Sequence, residues 1–237
     1  MTAHDHRRVI AIDGPAAAGK TTVARLLAEA TGSILFDTGS LYRSVTLAAQ
    51  QRDVSRDDGD ALGALAAGLD IELARPSVDD GRLIDVLVDG EDVTWAIRTP
   101  EVDAEVSRVS AYPQVRTALL DVQRRIADGV PVVMVGRDIG TVVTPDAGLK
   151  IYLDASVEER ARRRWTEFAG RDEGMSFEEV LEDLRRRDAY DSGREVAPLR
   201  VADDAVHVLT DGKTIDEIVN ELDAMVVARW AAQGVSS

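Results

Sequence analysis

The stretch Val9 to Thr22, V-I-A-I-D-G-P-A-A-A-G-K-T-T, constrains this chain more than any other. Val9 to Ile12 is a short apolar run and reads as a buried strand. Gly14 follows, and then Gly19-Lys20-Thr21, which completes G-x-x-x-x-G-K-[ST] between a strand and a helix. The helix shows in Val23, Leu26, Leu27 and Ala30, spaced i, i+3, i+4, i+7, with Gly32 as its stop. The small residues Gly14, Pro15, Ala16, Ala17, Ala18 and Gly19 let backbone N–H groups wrap an anion, and the helix start adds positive potential. In such a loop Lys20 reaches the β- and γ-phosphates of ATP. The Thr21 hydroxyl, followed by Thr22, is the candidate ligand for Mg2+.

The chain has 237 residues, enough for one α/β domain carrying an insertion. A formal net charge of −15 argues against a nucleic-acid surface, although a local basic site remains compatible with it. The absence of cysteine excludes thiolate chemistry and a disulfide frame, and fits a reducing compartment. No run approaches the roughly 18 apolar residues that span a bilayer, so the expectation is a cytoplasmic protein without a membrane partner. Residues 1–8 form a polar start in which His4 and His6 are expected to fray, and residues 230–237 also read as loose.

Further along, Ile34-Leu35-Phe36 is a second short strand, ending in Asp37-Thr38-Gly39, with a helix from Ser40. Polar residues at the carboxyl end of a parallel strand face the ligand crevice, which makes Asp37, Thr38, Tyr42 and Arg43 candidates for a second substrate. Simple capping by Asp37 and Ser40 is the alternative. Ser55-x-x-Asp58 reads as a helix start. Near Asp70 the texture changes: Ile71 to Leu73 and Leu83 to Val88 read as strands joined by a polar turn over Pro76 to Gly81, with Asp89-Gly90 as a further turn. This hairpin breaks an alternating β/α pattern and marks an insert over about 70–105, anchored by Trp95 and Ile97.

Pro113 suits a helix first turn, and Gly129 closes the helix it opens. Val130 to Val135 has the continuous apolarity of a central parallel strand and ends in Gly136-Arg137-Asp138, a pairing that suggests a binding site. Lys150 to Leu153 is the next strand. Ser156-x-x-Glu159 and Ser176-x-x-Glu179 read as capping boxes for two Arg-rich helices, and Thr214-x-x-Glu217 opens the last helix after a strand at Val206 to Leu209. In an acidic chain, Arg160, Arg162, Arg163, Arg164, Arg185, Arg186 and Arg187 are a local reversal of sign. They suit a lid over transferring phosphates, over about 156–199. Arg187, Asp191 and Arg194 share a helix face if the helix runs past Ser192-Gly193. About five strands alternating with helices give an α/β fold with a central parallel sheet covered on both faces. The only Asn is Asn220, followed by Glu, so a guanine-reading Asn-Lys-x-Asp is missing and a GTPase is disfavoured. A small phosphoryl-transfer enzyme or a non-catalytic nucleotide sensor remains, and the lid arginines favour transfer.

The set I-D-G-P-A-A-A-G-K-T, F-D-T-G-S-L-Y-R, G-R-D-I-G-T-V-V, K-I-Y-L-D-A-S and R-R-R-D…D-S-x-R-x-V-A-P-L resembles the bacterial cytidylate kinases, from about Val9 to Leu209. The resemblance implies a P-loop nucleoside-monophosphate-kinase fold. Its core would cover about 7–69, 106–155 and 200–229, with a helical lid and a monophosphate-binding insert. It implies ATP and Mg2+, with CMP and dCMP as acceptors; a monomer without a nucleic-acid partner is the expectation. By matched positions, Arg43, Arg137 and Arg194 would grip the acceptor phosphate. Ser107, Arg116 and Asp138 would read cytosine, and Arg187 and Asp191 would hold the sugar hydroxyls. Thr38 and Tyr42 would line the same pocket, and Arg163 would clamp ATP. Val135 stands where the family often has an acid, and Tyr190 where some relatives have Arg or His.

Overall fold

Every residue of β1, Val9–Asp13, is buried, because β1 is flanked on both sides. In this computed structural model, which describes residues 6–128, 130–169, 175–232 and 234, β1 pairs in parallel with two later strands. Val9 to Ile12 align with Val132 to Val135, and Ile10 to Asp13 with Leu149 to Tyr152. With β2 (Ile34–Asp37), β3 (Ile71–Ala74), β4 (Asp85–Val88), β5 (Glu91–Asp92), β6 (Val132–Val135), β7 (Leu149–Asp154) and β8 (Val206–Leu209), the strands form two sheets. The larger has the order β2-β6-β1-β7-β8 and the smaller β3-β4-β5. The first is the expected five-stranded parallel sheet of an α/β protein.

The chain divides into two compact units, residues 1–34 with 127–237, and residues 35–126. In the first, helix α1 (Lys20–Thr31) packs on β6 and on the terminal helix α8 (Ile215–Ala232). Gly32 ends α1 at φ 64, and the Ser33 N–H closes the turn on the Ala28 carbonyl. Helices α6 (Val157–Ala169) and α7 (Phe177–Gly193) pack against each other. Ala161, Val180 and Leu184 between them are buried together with Ala16 of the phosphate loop. The base of the helical pair is therefore seated on that loop.

The second unit holds helices α2 (Gly39–Gln51), α3 (Gly59–Gly68), α4 (Pro100–Val109) and the start of α5 (Pro113–Ala127), with the small antiparallel sheet. Ile71 pairs with Val88 across β3 and β4, and the Asp89-Gly90 turn has both residues at positive φ, 51 and 82, as a tight hairpin demands. Ile84, Val86, Val88, Val93 and Ile97 form its core, supported by Leu47 and Leu69.

Several local expectations are corrected. His6 does not fray: it is buried and its Nδ1 lies 2.7 Å from Asp146 Oδ1. The 230–237 stretch is not all loose, since α8 runs to Ala232 and buries Trp230. Asp58, not Ser55, caps α3, accepting from the Ala61 N–H, while the Ser55 hydroxyl accepts from Asp57. At Ser156 the box is half formed, because the Glu159 carboxylate is drawn to Arg162 and Arg163 instead. The boxes at Ser176 and Thr214 are complete. Strand β4 begins at Asp85 rather than Leu83. Arg82 gathers the carboxylates of Asp80, Asp85 and Asp92 and holds the connection away from the ladder. Trp95 is no core anchor: it is half exposed and donates from its indole to Asp80. Helix α4 carries a weak sequence signal: its first turn is acidic and its apolar stripe is only valines 102, 106 and 109. Gly129 lies outside the described residues. Among those described, no helix is long and apolar enough to cross a membrane.

Gly148 tests the packing away from the phosphate loop. A Cβ there would sit 2.0 Å from the Arg7 carbonyl oxygen. Gly148→Ala is expected to cost about 2–4 kcal/mol in denaturant unfolding, a backbone overlap that no rotamer relieves.

Candidate active site

The phosphate loop begins where β1 ends. Gly14 has φ 150, and a Cβ there would fall 2.0 Å from the Leu153 carbonyl oxygen, so only glycine can pass. Ala17 and Gly19 follow at φ 60 and 85, the left-handed conformations from which backbone anion cradles are built. Lys20, the first residue of α1, is buried, and its Nζ donates to the Pro15 carbonyl at 2.6 Å. That contact folds the ammonium back across the mouth of the loop. Thr21 is half-buried and Thr22 exposed.

One side chain braces this loop and two more lie beside it. Arg160, buried, donates to the Ala155 carbonyl (3.0 Å) and the Ala16 carbonyl (3.1 Å) and forks onto Asp188 (3.1 and 2.6 Å). Arg163 is held by Glu159, the Thr210 hydroxyl and the Thr210 carbonyl, each at 3.0 Å. One of its terminal nitrogens comes within 3.8 Å of where a Cβ on Gly19 would be, so Arg163 lies beside the loop. Asp13 is the third. Its two oxygens accept from the Ile139 and Gly140 N–H groups, both at 2.8 Å.

In the same unit, Arg137, Asp191 and Arg194 come together. Arg137 Nε donates to Asp191 at 3.0 Å, and Arg194 NH1 lies 3.8 Å from the other Asp191 oxygen. Helix α7 persists to Gly193, so Arg187 and Asp191 do share a helix face and Arg194 is its C-cap. Asp138 is buried directly before a single π-type turn, Ile139–Val143.

In the second unit, Arg116 lies 5.3 Å over the Tyr42 ring and donates to the Ser110 carbonyl at 2.9 Å. The Ser110 hydroxyl in turn donates to the Ser107 carbonyl at 3.0 Å. Tyr42 is buried, with its hydroxyl accepting from Gln123 at 3.3 Å. Arg43 donates to the Ile97 carbonyl and pairs with Asp103. Thr38 is buried at the start of α2, which begins at Gly39 rather than Ser40. The Asp37 carboxylate accepts from the Gly39 N–H at 3.0 Å. That bond makes a local turn, but the N-cap of α2 is Thr38, with no side-chain capping bond, so neither Asp37 nor Ser40 takes the capping role that was the alternative.

The family model described as Cytidylate kinase matches residues 10–227. The chain belongs to the cytidylate kinase family. It is 48% identical over 217 residues to a cytidylate kinase of Herpetosiphon aurantiacus, covering 92% of this chain and 93% of that protein. With that of Chloroflexus aggregans the identity is 47% over 227 residues, covering 95% and 97%. Among solved structures it is similar to TT1252 from Thermus thermophilus, with TM-score 0.47 and 21% identity, covering 94% of this chain and 98% of that one.

Within this cytidylate kinase family member, Asp13, Asp103, Asp188 and Thr210 carry no signal of their own in the sequence, and Arg160 stands there only as one of the lid arginines. Arg160 is one of several arginines in its helix, and only packing separates it from exposed Arg162. Among the described residues, no group of three or more His, Cys, Asp or Glu could hold a metal ion. A hard cation carried by nucleotide phosphates needs only one or two protein oxygens, and the Thr21 hydroxyl at the start of α1 is a donor of that type. The residues therefore fit Mg2+ bound with a nucleotide and not a protein-only cage.

Burial pushes the Asp13 carboxyl up from 3.8 to about 6, against the Gly140 and Ile139 N–H groups that lower it. Ionising Asp13 in the folded chain thus costs stability. The cost is absent below pH 3.8, where the group is protonated folded or unfolded, and complete above about 6. Asp13→Asn removes this titration. The stability of the wild type minus that of Asp13→Asn should fall by about 3 kcal/mol across that window, at about 1.4 kcal/mol per pKa unit. Denaturant melts at the two ends check the sign, and a difference that grows with pH would contradict it.

Proposed function

We propose that this kinase transfers the γ-phosphoryl group of ATP to CMP or dCMP, giving ADP and CDP or dCDP. The observation that carries the reading is that one family match spans both the phosphate loop and every acceptor-side candidate. An oxygen of the acceptor phosphate attacks the γ-phosphorus, and the bond to the β-γ bridging oxygen breaks. The acceptor is already an anion at neutral pH, so no side-chain base is needed. Catalysis is alignment and charge neutralisation.

The residues have distinct tasks in this scheme. Lys20 exchanges the Pro15 carbonyl for phosphate oxygens. Mg2+, held with the nucleotide by Thr21, would supply neutralisation of the β- and γ-phosphate charge. Arg163 clamps the ATP phosphates. Arg43, Arg137 and Arg194 bind the acceptor phosphate as planar donor forks. Arg116, Ser107 and Asp138 read cytosine, and uracil reverses the donor and acceptor pattern at its 4-oxo and N3–H positions. Arg187 and Asp191 hold the sugar hydroxyls, with Asp37, Thr38 and Tyr42 lining that pocket. The division into core, lid and insert, a cytoplasmic location and a monomeric state belong to the same proposal.

Turnover with Mg-ATP and CMP, dCMP, UMP, AMP or GMP, measured side by side, tests it. Strong turnover confined to CMP and dCMP is expected, and equal turnover of UMP would overturn the base assignment. Lys20→Ala is expected to lower kcat by about two to three orders of magnitude, the scale for losing one preorganised charge donor, while the thermal melt stays cooperative.

A further inference from the structure

The Asp138–Ile139 peptide is clamped at both ends. Its N–H donates to Asp13 Oδ1 at 2.8 Å, and its carbonyl accepts from Val142 (2.9 Å) and Val143 (3.2 Å). The next N–H, of Gly140, donates to the other Asp13 oxygen at 2.8 Å. Asp138 itself stands at φ −146, ψ 25, outside the main helical and extended wells, a conformation that must be held from outside. A Cβ on Gly140 would lie 3.4 Å from Asp13 Oδ2 and 3.1 Å from Lys150 Cδ, so this close approach suits glycine. Upstream, the Gly136 N–H donates to the Ile12 carbonyl. The Arg137-Asp138 pair is therefore bracketed by two bonds to the last residues of β1, and the second is a carboxylate adjoining the phosphate loop.

We propose that Asp13 is a positioning residue for acceptor recognition. It locks the Asp138–Ile139 peptide plane and so sets the direction in which the Asp138 side chain leaves the backbone. This rests on the reading in which Asp138 contacts the base. A carboxylate is required because only an acceptor with two oxygens takes both N–H groups, whereas an amide offers one oxygen and turns a donor toward the second. Asp13 touches no reacting atom in this scheme. Its proximity to Lys20 and Asp138 puts the bracket between the donor loop and the acceptor residues.

The test is a double-mutant cycle with Asp13→Asn, Asp138→Asn and the pair. Asp13→Asn should raise KM for CMP about tenfold, the size of one lost charge-assisted hydrogen bond, and change KM for ATP less than twofold. The double variant should lose no more than about twofold beyond Asp138→Asn, since both act through one contact. Losses that multiply, or equal rises in KM for ATP and CMP, would overturn the proposal. So would an Asp138→Asn variant that treats CMP normally while Asp13→Asn does not. Independently of turnover, the Ile139 and Gly140 amides should exchange with deuterium at least about tenfold faster in Asp13→Asn, and unchanged protection would overturn the clamp. Wild type inactive on CMP, with those amides deprotected in the variant, would fail the functional reading and leave the clamp standing. Should Asp13→Asn not fold, Asp13→Glu keeps the charge, moves the carboxylate by one methylene, and should show the same ordering.

Discussion

The guanidinium of Arg160 is the contact on which the donor side of this molecule depends. It joins the Ala16 carbonyl of the phosphate loop, the Ala155 carbonyl just beyond β7, and Asp188 on α7. A trans peptide points its carbonyl and N–H in opposite directions, so holding the Ala16 carbonyl outward also fixes the Ala17 N–H. Ala17 at φ 60 is a conformation an alanine does not choose alone. The buried charge is matched by the Asp188 fork, and removing Asp188 would leave it stranded in a site where such losses run to about 3–5 kcal/mol. The apolar cluster of Ala16, Ala161, Val180 and Leu184 closes around the same junction.

Three other arginines, one in the second unit and two in the first, share a second constraint. Arg137 and Arg194 are held by Asp191, and Arg43 by Asp103. Each long side chain is thus ordered before any substrate arrives, and part of its rotamer entropy is already lost. In the proposed reaction, an incoming phosphate would have only to compete with a carboxylate for arginines that are in place.

Much of this was legible in sequence where local chemistry decides structure. The phosphate loop, the Gly32 stop, the Asp89-Gly90 turn and the boxes at Ser176 and Thr214 need only neighbours in the chain. What sequence hid is set by distant partners. Asp13 directly follows the apolar run Val9 to Ile12, and the work of its two oxygens is visible only once residues 139 and 140 come alongside. Arg82 could not be told from a surface arginine until three aspartates converged on it, and that convergence is why β4 starts later than its hydrophobic pattern suggests. Glu159 had the right spacing for a cap and was taken by two arginines one turn on. Trp95 read as an anchor by its bulk, but its indole N–H found Asp80 at the surface. Among the residues of the candidate site, the types and many positions were readable, Asp191 included, while the carboxylates of Asp103 and Asp188 that hold Arg43 and Arg160 were not.

Helix α7 carries Val180 and Leu184 against the phosphate loop near its start and Asp191 near its end, with Arg194 as its cap. At 1.5 Å per residue, Val180 and Asp191 are about 16 Å apart along a single rod. A tilt of about ten degrees pivoting at the loop would carry the far end roughly 3 Å, the length of a hydrogen bond. The helix is in effect a lever: a small adjustment beside the phosphate loop becomes the making or breaking of a contact at Asp191, where Arg137 and Arg194 meet.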